Sequence, residues 1–228
     1  MNFPQLTIVP TADGSNTIFN ERVGENYHSK HGALQESRHV FLNSGLVHFL
    51  TTQGSAVSEV SILEVGFGTG LNFLLSADYC IANHISLNYN GIEAYPLSLE
   101  MIARTDYKNY VSKAVWDEFI SSYPDALAGQ ADLNTSGRLQ IANCELLSFQ
   151  SEHQYDIIYF DAFAAAYQPE MWDETAIGHA IKFLKSGGVF VTYAITGNLK
   201  RMLKAMGCKI EKAPGAPGKR EMLRATKL

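Results

Sequence analysis

Apolar residues follow two rhythms along this chain. Short aliphatic and aromatic runs at 60–65, 86–93, 139–142, 155–161 and 188–194 read as strands. Between them, apolar positions three and four apart read as helices, one from Gly70, one from Pro96, one near 173–184 and one at 198–206 that stops at Gly207. Strand and helix in alternation predict an α/β fold with a Rossmann-like, mostly parallel sheet. The ending differs, because 208–212, the loop PGAPGKR and 221–226 read as a C-terminal antiparallel strand pair.

Two segments stand outside the alternation. Residues 1–50 hold β-type pieces at 5–10 and 16–20, a polar stretch at 27–39 and an apolar stretch at 40–50, which together read as a cap. Residues 97–137 are too long for a single crossover, and Trp116, Phe119, Ile120 and Tyr123 at helical spacing predict an extra apolar-faced helix, a candidate substrate-side wall. The expected organisation is one domain over 1–228 with these two additions.

Candidate chemistry begins at residues 60–75, VSILEVGFGTGLNFLL. A buried-type strand ends in Glu64, then Gly66, Gly68 and Gly70 remove side chains where the backbone turns against a ligand, and Asn72 lies in the opening helix. The third glycine comes one residue earlier than in a pyrophosphate-binding loop, and an acid precedes the first, which suits the cationic methionyl end of S-adenosylmethionine better than a diphosphate. Glu93 closes the next strand at the distance where an acid grips ribose hydroxyls. The blander reading is a glycine-rich turn with a polar strand end.

Composition narrows the setting. With 228 residues, 46% of them hydrophobic, the chain can bury a substantial core. Cys80, Cys144 and Cys208 are too far apart for a metal or thiol redox motif, no run reaches membrane-spanning length and no secretory leader is visible, so a soluble cytoplasmic protein without a metal is expected. The net charge of −5 hides an asymmetry: residues 200–228 carry nine Lys and Arg against Glu211 and Glu221, a local +7 that leaves −12 on the rest. That polarity suits a polyanionic partner steered to one face, or a set of solvated edges.

The run YDIIYF delivers Asp161 to the end of its strand, and the following loop brings Phe163, Tyr167 and Trp172. A carboxylate beside aromatic faces is what binding an amine carried on an extruded base requires, although any single aromatic can equally be core. Lys219 and Arg220, on a glycine-flanked turn, are candidate phosphate contacts. Residues 27–39, with Glu36 and His39, are a candidate lid over cofactor and substrate.

Five segments in this order, YHSKHGALQESRHVF (27–41), EVGFGTGLNFL (64–74), IEAYPL (92–97), DAFAAAYQPEMW (161–172) and GKREML (218–223), resemble the methyltransferase domain of the tRNA-modifying bifunctional protein MnmC and its stand-alone relatives. The resemblance spans nearly the whole chain. It implies a class I S-adenosylmethionine-dependent methyltransferase that N-methylates the aminomethyl group of 5-aminomethyl-2-thiouridine at the tRNA wobble position in the anticodon, with Asp161 matching the catalytic aspartate. It also implies a functional link to the enzymes making the aminomethyl intermediate. The flavin-dependent oxidoreductase domain that follows in bifunctional relatives is expected to be absent from a chain ending at Leu228. Ala165 stands where many relatives carry proline and Tyr167 where some carry lysine, and 141–144 offers only Asn143 as a side chain for the adenine.

Two other readings stay open: a small-molecule amine methyl- or aminopropyltransferase of the same fold, and a catalytically silent RNA-binding relative. The first lacks its usual run of consecutive glycines, and the second has no chemical need for Glu64, Glu93 and Asp161 together.

Overall fold

A computed structural model describes residues 6–54, 57–134 and 137–228. Gln5, expected to open the first strand, lies outside them, as do residues 1–4 of the expected cap and 135–136 of the expected insertion.

The N-terminal part is a three-stranded antiparallel sheet of β1 (Leu6–Pro10), β2 (Asn16–Asn20) and β3 (Glu25–Asn26). A helical run follows, α1 (Ala33–Glu36), a π-helical stretch Ser37–Val47 and α2 (His48–Gln53). The π-helical stretch buries Val40 and Phe41 and packs on the main sheet, where Gly45 leaves room for Tyr159: a Cβ there would come 2.7 Å from its ring.

The main body then alternates: β4 (Glu59–Val65), α3 (Leu71–Ala82), β5 (Ser86–Ile92), α4 (Leu99–Ala103), α5 (Lys113–Ala128), β6 (Ala131–Leu133), β7 (Gly137–Ala142), β8 (Tyr155–Phe160), α6 (Glu174–Lys182), β9 (Leu184–Thr192), α7 (Gly197–Ala205), β10 (Cys208–Pro214) and β11 (Glu221–Lys227). Its sheet runs β10-β11-β9-β8-β4-β5-β7-β6, with β9, β8, β4, β5 and β7 mutually parallel and the β10–β11 pair antiparallel on one edge, as expected. The short β6, antiparallel to β7, is an addition the pattern did not predict.

Successive residues of β4 serve opposite faces, as strand geometry demands. Ile62 joins the core under α3 and α5 with Phe73, Tyr89 and Phe119, while Leu63 and Val65 join Phe160, Ile177 and Leu203 under α6 and α7. Burial on both faces explains the nearly continuous apolar runs of β4 and β8.

Helix boundaries follow their caps. Ser98 accepts from Met101 N at 3.2 Å and starts α4 later than Pro96, and Asp173 accepts from Ala176 N at 2.8 Å and starts α6. Leu184 belongs to β9 rather than to α6, which ends at Lys182. The expected substrate-side wall is corrected. Phe119 and Tyr123 of α5 pack on Phe67 in the interior, and none of the described residues of 97–137 lines the main cavity.

The chain leaves β4 to one side, forming β5 and β7, and returns to the other with β8 and β9. The crevice outside the carboxyl ends of β4, β5 and β8 is therefore the topological switch point where such sheets bind ligands.

Candidate active site at the switch point

A cavity of about 540 Å³ occupies that crevice, within the usual range for a ligand site. Its floor is the glycine loop. Gly66 N and Phe67 N both donate to Ile92 O, at 3.0 and 3.1 Å, which folds the loop over the end of β5. Gly66 has φ +88° and Gly68 φ +51°, the left-handed region that disfavours a side chain. A Cβ on Gly66 would lie 2.6 Å from the Asp161 carbonyl, so only glycine lets β4 and β8 end this close together.

Glu93 sits where an acid at the end of β5 was expected, lining the cavity. Its Oε2 accepts from Gly68 N at 2.9 Å and its Oε1 from Tyr95 N at 3.0 Å, so one carboxylate clips the glycine loop to the next turn. Burial raises its pKa against the pull of those two amides.

Asp161 follows β8 directly, its N–H donating to Val65 O at 2.9 Å, and it lines the cavity. Asn72 Nδ2 donates to Asp161 Oδ2 at 2.9 Å and to Glu64 Oε1 at 2.8 Å, and Glu64 Oε2 accepts from Tyr89 OH at 2.8 Å. Burial pushes the Asp161 carboxyl well above the usual aspartate range and the Glu36 charge adds to this, while Asn72 and Lys219 act the other way. Glu64 is pushed up by burial and by Asp161.

The remaining expected site residues divide. Phe163 lines the cavity, its ring edge-on to Tyr27 at 5.1 Å between centroids. Gly66, Gly68 and Asn72 line it as well, and Gly70 caps α3 behind them.

Glu64 does not line the cavity. At 1% exposure it is held beneath the loop by Asn72 and Tyr89, so its direct contact with a methionyl group is corrected to support of Asn72. Asn143 is exposed and outside the cavity, because Cys144 N turns back to Ala142 O at 2.9 Å, and Cys144 to Leu147 form that wall instead.

Trp172 likewise is a brace under the loop rather than a substrate face. Its Nε1 donates to Phe163 O at 2.8 Å and its ring packs edge-on to Phe160. His39 bonds Pro214 O at 2.7 Å, pinning the β10–β11 hairpin away from the cavity. Glu36 and Lys219 are partners in an ion pair of 2.9 Å behind the cavity, which removes Lys219 from the free phosphate contacts, while Arg220 stays exposed on the hairpin turn.

Sequence reasoning passed over the β2–β3 turn and Tyr95. Arg22 lies 4.0 Å over the Tyr95 ring, and Asn20, Arg22, Val23, Tyr27 and His28 bring the cap into the cavity wall. His28 is buried, with Nδ1 3.1 Å from Thr17 Oγ1 and Nε2 3.5 Å from Thr69 Oγ1 in the glycine loop. Burial lowers its pKa to about 4, so the ring is neutral at pH 7. The motif IEAYPL contained Tyr95, but nothing in it pointed to Arg22.

A glycine loop packed against an acid at each neighbouring strand end, at the switch point of five parallel strands, defines the class I S-adenosylmethionine-dependent methyltransferase fold. Residues 110–228 match the family model described as S-adenosyl-L-methionine-dependent methyltransferase, and the chain belongs to that family. Its curated relatives include the tRNA 5-methylaminomethyl-2-thiouridine biosynthesis bifunctional protein MnmC of Leptospira borgpetersenii, 30% identical over 219 residues, 91% of this chain and 33% of that protein. The protein of the same name from Magnetococcus marinus is 31% identical over 234 residues, 97% of this chain and 34% of that protein. The chain thus spans about a third of the length of these relatives. Among solved structures, MnmC2 from Aquifex aeolicus superposes with a TM-score of 0.78 at 20% identity, covering 99% of this chain and 71% of that one, which shows a shared fold.

The cofactor of this family fits the residues present. Asn72 lines the cavity and its Oδ1 is a buried acceptor with no partner, suited to an ammonium group. Glu93 is suited to ribose hydroxyls, and the stretch Cys144 to Leu147 offers an apolar wall for the adenine.

Proposed function

We propose that this chain N-methylates a primary amine on tRNA, the aminomethyl group of 5-aminomethyl-2-thiouridine at the wobble position in the anticodon, using S-adenosylmethionine. The carrying observation is Asp161, a carboxylate held by Asn72 on the wall of the cofactor-sized cavity beside the Phe163 ring. Relatives matched over more than nine-tenths of this chain are named for the biosynthesis of 5-methylaminomethyl-2-thiouridine, the product this methylation would give.

A primary alkylamine has a pKa of about 10.4, so freeing its lone pair at pH 7 costs roughly 4–5 kcal/mol. Asp161 binds the amine as its cation, aims it at the cavity and accepts the proton that must leave; its raised affinity for protons makes it a better acceptor than an ordinary aspartate. Phe163 and Tyr27 exclude water on that side and provide faces against which a base can stack. When bound, the cofactor supplies a methyl group activated on a sulfonium. Glu93 and the Gly66–Gly68 turn hold the position it needs, so that proximity and alignment carry much of the barrier reduction.

A tRNA substrate places the protein in the cytoplasm and after an enzyme that installs the aminomethyl group. Arg220, Arg201 and Lys204, exposed on the hairpin turn and α7, supply charge for a polyanion. The test is mass spectrometry of wobble nucleosides after incubating the protein and S-adenosylmethionine with tRNA bearing the aminomethyl group, beside Asp161→Ala. A gain of one methyl, lost in the variant, is expected. Methylation of free polyamines or amino sugars instead of tRNA would replace this reading with the small-molecule one.

A further inference from the structure

Lys219 lies in the turn between β10 and β11, and the turn is built to point it inward. Gly218 has φ +88°, and a Cβ there would come 2.5 Å from the His31 ring, so the turn lies flush against the cap. From this position Lys219 Nζ reaches 2.9 Å to Glu36 Oε1 and 3.8 Å to the centroid of the Tyr193 ring. Glu36, at 6% exposure, is fixed on its other oxygen by Ser29 N at 2.8 Å. Tyr193 OH donates to Ala162 O at 2.8 Å, and Ala162 is the residue after Asp161.

Cap, hairpin, end of β9 and catalytic loop are thereby joined through one ammonium group. Neither Lys219, Glu36 nor Tyr193 lines the cavity. The pair is half-buried, with Lys219 partly exposed and Glu36 inside; such ion pairs add little net stability, and their attested use is to fix one geometry. A lysine placed to contact phosphate would instead be free at the surface.

We propose that Lys219 is a positioning residue for methyl transfer, holding the backbone beside Asp161 through Tyr193 and tying it to the cap through Glu36. This rests on the reading of Asp161 as the residue that binds the amine.

The test uses the full chain with Lys219→Met, Lys219→Arg, Glu36→Gln and Tyr193→Phe, measured in two ways. In amide hydrogen exchange, Lys219→Met and Tyr193→Phe should speed exchange over residues 161–168, and Lys219→Arg should restore protection relative to Lys219→Met. In methylation of aminomethyl-bearing tRNA, Lys219→Met should lower kcat about 10- to 100-fold, the effect of a slight misplacement of a reacting group, with KM for tRNA and the salt slope of tRNA binding unchanged. Raised KM and a flattened salt slope with kcat intact would make Lys219 a phosphate contact and overturn the proposal. So would unaltered exchange at 161–168 in both variants. If Lys219→Met does not fold, Tyr193→Phe, which keeps the ring, decides. Failure of the wild-type protein to methylate this tRNA would overturn the substrate reading alone, because the exchange measurement needs no substrate.

Discussion

Asn72 and Asp161 meet through a single hydrogen bond of 2.9 Å, and the same amide nitrogen gives its second hydrogen to Glu64 at 2.8 Å. One neutral group therefore separates the buried Glu64 carboxylate from the half-buried Asp161 carboxylate on the cavity wall. Substituting Asn72→Ala removes the shared donor from both, and leaving the buried Glu64 acceptor unsatisfied costs about 1–3 kcal/mol. The variant should lose at least that much stability in urea denaturation and at least tenfold in kcat.

Gly66 and Gly68 differ in what stands in the way of a side chain. A Cβ at Gly66 would meet the backbone carbonyl of Asp161 at 2.6 Å, whereas at Gly68 it would meet the Tyr27 ring at 2.9 Å. Backbone yields less readily than a ring. Gly66→Ala should abolish cofactor binding measured by calorimetry, and Gly68→Ala should weaken it by roughly tenfold, about 1.4 kcal/mol.

His28 makes the fold acid-sensitive. Burial lowers its pKa to about 4 from an unfolded value of 6.5, so the unfolded chain binds the proton more tightly. The stabilisation from the neutral ring is full above about pH 6.5 and is lost as the pH falls toward 4. At 1.36 kcal/mol per unit this amounts to roughly 3 kcal/mol. Denaturation midpoints across that window should fall for the wild type, and His28→Gln should flatten the slope.

Trp172 holds the loop after Asp161 by its Nε1 bond to Phe163 O. Trp172→Phe keeps an aromatic ring near Phe160 and Tyr193 but removes the donor, so a loss of about 1 kcal/mol is expected. Cofactor affinity should be unchanged and kcat reduced, because the substitution loosens only the substrate-side loop.

The parallel core was legible because β4 and β8 are buried on both faces and their apolar runs are almost continuous, while β5 still sets Leu87, Tyr89 and Ile92 between its polar residues. Asp161, Glu93 and the glycine positions were legible for the same reason, since a strand end fixes where the next residue lies. Side-chain direction was not legible. Glu64 is also at a strand end, but its carboxylate turns under the loop to Asn72 and Tyr89. Lys219 reads as a surface residue because its turn is glycine-rich, yet the left-handed Gly218 turns it into the molecule. Asn143 follows β7 in the expected place and is exposed because the chain reverses at Cys144. Such outcomes depend on long-range partners that a local pattern does not contain.

Glu36 and Lys219 are 183 positions apart. The sheet is also joined out of chain order, since β11 follows β10 in the sequence but lies between β9 and β10. On the ribosome, the glycine loop and Asp161 can emerge and fold against each other while the hairpin is still inside the exit tunnel. A nascent chain of that length has its cofactor crevice but not the lysine behind it. The hairpin that carries Lys219 is thus synthesised after every residue that lines the crevice, the last of which is Ala176.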